Sequence, residues 1–300
     1  MRVMGLKQRI VEFARRASME VTPNDAGLLP ALSAKLTPGM TIYVAHTPNA
    51  SFADVVSTAL ELESVGLRAC PHVVARRLPS ARVLREGLQE LSQAGVEQVL
   101  VIAGDLSAPL GPFSSSLDVL NSGALSDSGI RRVGIAGHPE GHRAIGPSRL
   151  WEALQAKQEL AARQGLAMHI VTQFGFNPQV ICGWDRYLVG NGITLPVHVG
   201  LCGPTSLPKL IRFAMQCGVG ASLHALMKNM TAMSNVARVV TSADEMLTAL
   251  VEAGVGSEIA RVAQPHFFTF GGAVACARWL RAVCDGAFEM QPEGKLVVYG

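Results

Sequence analysis

One pattern recurs along the chain: a short β-rich run, a polar stretch, then a helical stretch that closes on glycine. "SFADVVSTALELESVG" opens on Ser51 and ends at Gly66, with apolar residues three and four apart between them. "SARVLREGLQELSQAG" repeats this from Ser80 to Gly95, and "SRLWEALQAKQELAARQG" from Ser148 to Gly165. A hydroxyl before a helix accepts from an amide of the first turn, and glycine beyond its end takes left-handed backbone at no steric cost. The β-rich runs are "SMEVT" (18–22), "TIYVAH" (41–46), "LRACPHV" (67–73), "EQVLVIA" (97–103), "RRVGIAG" (131–137), "LAMHIVTQF" (166–174), "LPVHVGL" (195–201) and "PHFFTF" (265–270). Runs without clean polar alternation predict a parallel sheet covered on both faces. After the first, "MEVTPNDAG" has no glycine before Gly27, so the G-x-G-x-x-G phosphate loop of an open dinucleotide fold is missing. Eight βα units therefore predict an α/β chain closed into a (β/α)8 TIM barrel. Extra helices are expected at the N-terminus and between strands seven and eight, where 218–263 includes "ASLHALMKN" and "SADEMLTALVEAG". No repeat, low-complexity tract or linker interrupts the pattern, so residues 1–300 read as one domain.

Composition excludes other classes. Hydrophobic residues make up 49% and charged ones 16%, yet no apolar run approaches the roughly 18 residues of a membrane span. A net charge of +3, with no basic cluster among aromatics, gives no nucleic-acid groove. The six cysteines form neither a C-x-x-C pair nor a zinc spacing, which suits reduced thiols in a cytoplasmic protein. The basic opening "MGLKQRIVEFARRA" carries Glu12 and runs into a strand without a cleavage signal, so it reads as a structural helix rather than a targeting segment. The chain ends soon after the eighth unit, and no appended regulatory domain is expected.

Barrel enzymes carry their chemistry at the C-terminal ends of strands. Those ends give Glu20, His46, His72, Asp105, His138 with Glu140 and His142, Gln173, Cys202 and Thr269. Each also has a structural reading. Asp105 after glycine suits a turn, His72 after Pro71 suits a satisfied core group, and His46 and His142 suit loops. Glu20 between Met19 and Val21, and Gln173 within "HIVTQFGF", are harder to explain as scaffold, because burying either is costly without a partner. Pro139 and Gly141 keep His138 and His142 off a common helical face, so a metal site is not expected. No G-x-S-x-G nucleophile motif occurs.

The ordered set Glu20 with Pro23, "PHV" (71–73), "GDL" (104–106), "GIAGHPEGH" (134–142), "TQFGF" (172–176) and "HFFTF" (266–270) resembles the methylenetetrahydrofolate reductases, collinearly from about residue 18 to 285. The resemblance implies a barrel holding FAD, reduced by NADH or NADPH, which passes hydride to a folate. On that basis Glu20 is the general acid that opens the folate's five-membered ring to an iminium. Such an acid must carry its proton near neutrality, and apolar surroundings favour the neutral form. Asp105 holds the pterin's amino and ring N–H groups and tunes the flavin. Gln173 bonds another pterin edge, and His72, His138 and His142 line the flavin site. Partners are then small molecules, with neither nucleic acid nor membrane, and oligomeric state is left open, a homo-oligomer included.

The chain departs from the family mainly around the flavin. Ala103 stands where an arginine is usual and Ala45 near a usual threonine. Gln155 and Ala162 take the positions of acidic and basic helix residues, with Lys157, Arg163 or Arg149 as substitutes, and "FGGAV" lacks an arginine expected near the folate tail. The aromatics before the first-strand proline are replaced by Val21 and Thr22. The expected activity is interconversion of 5,10-methylene- and 5-methyltetrahydrofolate. The alternatives are a folate-binding protein, or a folate-dependent one-carbon transferase, that has lost flavin.

Overall fold

In the computed structural model, which describes residues 5–217, 240–241, 243–257 and 260–299, the eight expected runs form the staves of one closed parallel barrel. The strands are β1 (Ser18–Val21), β2 (Thr41–Val44), β3 (Arg68–Val74), β4 (Gln98–Ile102), β5 (Arg132–Gly137), β6 (Ala167–Phe174) and β7 (Val197–Cys202). A short pair follows, β8 (Thr205–Ser206) with β9 (Val240–Thr241), then β10 (Val262–Phe268) and the hairpin β11 (Phe288–Met290) with β12 (Leu296–Val298). The barrel order is β1-β10-β7-β6-β5-β4-β3-β2, so β10 is the eighth stave and the two antiparallel pairs lie outside the ring. Sequence periodicity reveals neither pair.

The helices are α1 (Leu6–Ala14), α2 (Leu29–Ser33), α3 (Phe52–Ser64), α4 (Ala81–Gln93), α5 (Ser116–Asn121), α6 (Ala124–Ser128), α7 (Pro147–Gln164) and α8 (Pro178–Gly190). After them come α9 (Leu207–Cys217), α10 (Asp244–Glu252) and α11 (Ala273–Cys284). Ser51 caps α3 by accepting from Asp54 N, and Asp54 accepts in return from Ser51 N, a reciprocal capping box. Ser80 caps α4 by accepting from Val83 N. Ser148, expected to cap the third such helix, instead lies within its first turn. Pro147 occupies the first helical position, where a missing N–H costs nothing, and Gly146 O accepts from Leu150 N. The expected extra helices are present as α1 and α10, while "ASLHALMKN" lies outside the described residues. No described helix is long and apolar enough to cross a membrane.

The chain divides into two compact units. The first comprises residues 1–18, 137–152 and 171–300. There α1 turns its cations onto carbonyls of its own unit: Arg9 donates to Val251 O, Arg15 to Cys284 O, and Lys7 to Phe288 O. Val251 and Cys284 lie in the last turns of α10 and α11, where unpaired carbonyls favour positive charge. The second unit, residues 19–136 and 153–170, contains β2 to β4 and packs α3 against β3.

Candidate functional site

In the second unit, β1 pairs in parallel with β2, and Glu20 stands in register with Tyr43. Met19 and Val21 on the opposite face are fully buried, which fixes by strand alternation the face that Glu20 takes. Tyr43 is fully buried and Cys70, its register partner on β3, equally so. Two residues on, His72 turns its Nε2 to within 3.6 Å of Glu20 Oε1, with side chains only 9% and 15% exposed. The His72 and Tyr43 rings meet edge to face, and the Tyr43 hydroxyl lies 2.8 Å from His169 Nε2. Burial pushes both the Tyr43 hydroxyl and the Cys70 thiol up, so both stay protonated at neutral pH. Glu20, Tyr43, His72 and His169 thus form a polar cluster in an apolar interior. Gly134 of β5 leaves room for it, since a Cβ there would lie 2.8 Å from His169 Nε2.

Asp105 follows β4 and is more open. Its carboxylate is 70% exposed and accepts from Arg77 Nη2 at 3.0 Å. The neighbouring Arg76 ties down the loop after β4: its amide donates to Ala103 O, its Nε to Ser114 O and its Nη1 to Leu106 O. Neither arginine stands out in sequence, although "VVARRLPS" sets both directly after β3. His46 takes its loop reading, donating from Nε2 to Ala50 O, and burial lowers its pKa.

In the first unit, β5 ends at Gly137 and the "HPEGH" turn follows, closed by Gly141 N donating to His138 O, with Gly141 at φ +82°. The His138 and His142 rings meet edge to face at 5.1 Å. His142 Nδ1 accepts from Ala144 N, and burial, then Arg143, pulls its pKa down. The Glu140 side chain runs to β6: its Oε1 would sit 3.1 Å from a Cβ at Gly175. Both Glu140 carboxyl oxygens are shut from solvent and meet no hydrogen-bond donor, and Gln173 Oε1 on β6 is in the same state. Beyond Gln173, Phe174, Phe176, Phe268 and Phe270 pack edge to face or stacked around Cys202 and Leu210. Phe270 is held at φ +49°, a conformation costly for any residue but glycine. Cys202 is a buried part of this cluster, and Thr269 is buried too. Among the described residues, no group of three or more His, Cys, Asp or Glu side chains is arranged to hold a metal ion.

Residues 37–278 match the methylenetetrahydrofolate reductase family. The chain belongs to that family. As a methylenetetrahydrofolate reductase family member it is a folate-related oxidoreductase, and the resemblance read from "GHPEGH" and "TQFGF" is borne out. The match takes in His72, Asp105, His138, Glu140, His142 and Gln173, while Glu20 precedes it.

Among solved structures, the chain is similar to the dihydropteroate synthase of Thermus thermophilus at 13% identity and a TM-score of 0.45, covering 88% of this chain and 90% of that one. It is similar to the GH53 catalytic domain of Ignisphaera aggregans at 12% and 0.45, covering 86% and 85%. Triosephosphate isomerase from Bartonella henselae matches at 8% and 0.43, covering 90% and 97%. Likenesses this distant carry no weight for the chemistry of this chain.

Proposed function

We propose that the protein interconverts 5,10-methylene- and 5-methyltetrahydrofolate, with NADH or NADPH supplying hydride in the reducing direction. The observation that carries this reading is a shielded carboxyl, Glu20, beside His72 in a barrel strand of a methylenetetrahydrofolate reductase family member.

Glu20 would donate its proton to N10 of the bridged folate. The bond between N10 and the bridging carbon then breaks with its electron pair going to N10, leaving an iminium between that carbon and N5. Hydride adds to the carbon, giving the 5-methyl group. Glu20 is left as a carboxylate and regains its proton before the next turnover, with the His72 imidazole the adjacent titratable group. Gln173 would bond a pterin edge. Asp105 would meet the pterin from its exposed position, exchanging part of its contact with Arg77. His138 and His142 would line the ring that delivers hydride.

The family implies FAD, whose diphosphate needs cations or hydrogen-bond donors. Ala45, Ala103 and Ala162 offer neither, and Gln155 offers only an amide. Gly104 is explained without a cofactor: at φ +88°, its missing Cβ would fall 2.4 Å from Val74 Cγ1. Of the substitutes on α7, Lys157 is partly buried while Arg149 and Arg163 are exposed, and one sheltered cation is a thin match for a diphosphate. Among the described residues, the donor set at these positions does not fit FAD, and no step of the proposed reaction runs through it.

The test is an absorption spectrum of the purified protein, before and after FAD is added and the excess removed, followed by turnover in the flavin-free sample with each nucleotide. A colourless protein that forms 5-methyltetrahydrofolate is the expected result. A retained flavin spectrum would overturn direct transfer. Failure with both nucleotides, with folate still bound, would favour a folate-binding protein, the reading to which the thin flavin shell also points.

A further inference from the structure

Glu140 presents a problem of physical chemistry that the proposed reaction leaves unanswered. The residue as a whole is only partly buried, yet both carboxyl oxygens are closed off from solvent and neither meets a donor. Roughly nine in ten buried polar groups in folded proteins have a partner, and an orphaned carboxyl is among the costlier exceptions. Protonation does not resolve it, since a carboxylic acid would still lack an acceptor for its hydrogen and donors for its other lone pairs.

A second orphan lies close by. Gln173 Oε1 is also buried without a donor. Gln173 and Gly175 are two residues apart at the exit of β6, on the same face and roughly 7 Å apart along the chain. Glu140 Oε1 occupies the space over Gly175, at 3.1 Å from where its Cβ would be. Glycine at 175 is what admits the carboxyl. The exit of β6 therefore holds two neighbouring hydrogen-bond acceptors, each lacking a donor.

Resting on the folate reading, we infer that Glu140 is a specificity-determining residue that accepts N–H groups of a reduced pterin ring, while Gln173 Oε1 accepts another N–H of the same ring. The donor pattern selects the ring. A tetrahydropterin presents its 2-amino group and N3–H side by side, a fork that matches a carboxylate, and N8–H beyond them. An isoalloxazine presents one N–H between two carbonyl oxygens, and a carboxylate there would face those oxygens. The family resemblance gives that same fork to Asp105, so the titrations below also decide which of the two carboxylates takes it.

The test uses the full chain, wild type and Glu140→Gln, an isosteric change. Calorimetric titrations are run with 5-methyltetrahydrofolate, with 6-methyltetrahydropterin, with the latter's 2-deamino analogue and with FAD, and the melting temperature of each ligand-free protein is recorded. Removing a charged acceptor from N–H donors predicts binding of folate and tetrahydropterin weaker by roughly 10- to 100-fold. The deamino analogue should bind wild type about as weakly as the parent pterin binds the variant, a comparison that needs no mutation. Ligand-free Glu140→Gln should melt no lower than wild type, because an orphaned buried carboxyl has been neutralised. Wild-type affinity in the variant would overturn the inference, as would equal wild-type binding of pterin and deamino analogue. So would a drop in melting temperature, which would mean that the Gln173 amide donates to Glu140 within the fold. If wild type binds neither folate nor tetrahydropterin, the folate reading itself fails, and that outcome is distinct from the others.

Discussion

His72 Nε2 lies 3.6 Å from Glu20 Oε1, and both side chains are largely shut from solvent. Under the proposed reaction, the Glu20 proton is what opens the folate ring.

Glu20→Gln keeps the shape and removes the transferable proton. Turnover of 5,10-methylenetetrahydrofolate should fall by at least about 100-fold, the usual contribution of a general acid, with folate still bound. Steady-state kinetics beside a binding titration separate the two effects, and near-normal turnover would remove Glu20 from the mechanism.

Gly200 of β7 meets the backbone that carries Gln173. A Cβ there would come within 2.6 Å of Thr172 O and 2.7 Å of Gln173 C, and neither can move as a side chain would. Gly200 N also donates to Thr172 Oγ1, which itself donates to Gln173 O. Gly200→Ala should cost about 1–3 kcal/mol of stability and weaken folate binding as well. Urea denaturation with a folate titration checks both. A stable variant with unchanged affinity would show that β6 tolerates the shift.

The barrel is legible because its signals are local. Ser51 and Ser80 cap their helices from the residues that sequence indicates, and Gly66, Gly95 and Gly165 take the left-handed conformation that ends a helix. Glu20 and Gln173 stand out as polar residues within apolar strands. What the sequence conceals is pairing at a distance. Tyr43 and His169 are 126 residues apart, and Arg77 reaches Asp105 across 28, so neither contact leaves a periodicity to read. Glu140 is visible as one of several polar residues in "HPEGH", but the absence of a donor around it is a property of packing.

Asp185 on α8 anchors the start of β10. Its buried side chain accepts through Oδ1 from both Arg261 N and Val262 N at 2.8 Å, tying two successive amides at the strand's entry to one oxygen. Asp185→Ala should destabilise by about 2–3 kcal/mol, and Asp185→Asn, which keeps an acceptor oxygen, by clearly less. Equal losses in the two variants, compared by thermal melting, would mean that charge rather than hydrogen bonding holds this junction.

Lys157 makes the pH dependence of stability testable. Burial pushes its ammonium from an ordinary 10.5 down to about 8. Between those values the unfolded chain holds a proton that the folded protein has released, so stability contributed by this group rises with pH across the window. Below about pH 8 both states are protonated and the burial penalty applies in full. Lys157→Met keeps the apolar stem and removes the charge. It should therefore be more stable than wild type at pH 7, by on the order of 2 kcal/mol, and the advantage should shrink as pH approaches 10.5. Urea denaturation of both proteins at pH 7 and pH 10 measures the difference directly, and other groups that titrate in that range cancel in the comparison. A constant difference at the two pH values would mean that Lys157 is solvated in the folded protein, and its charge would then be available to an anionic ligand at little cost.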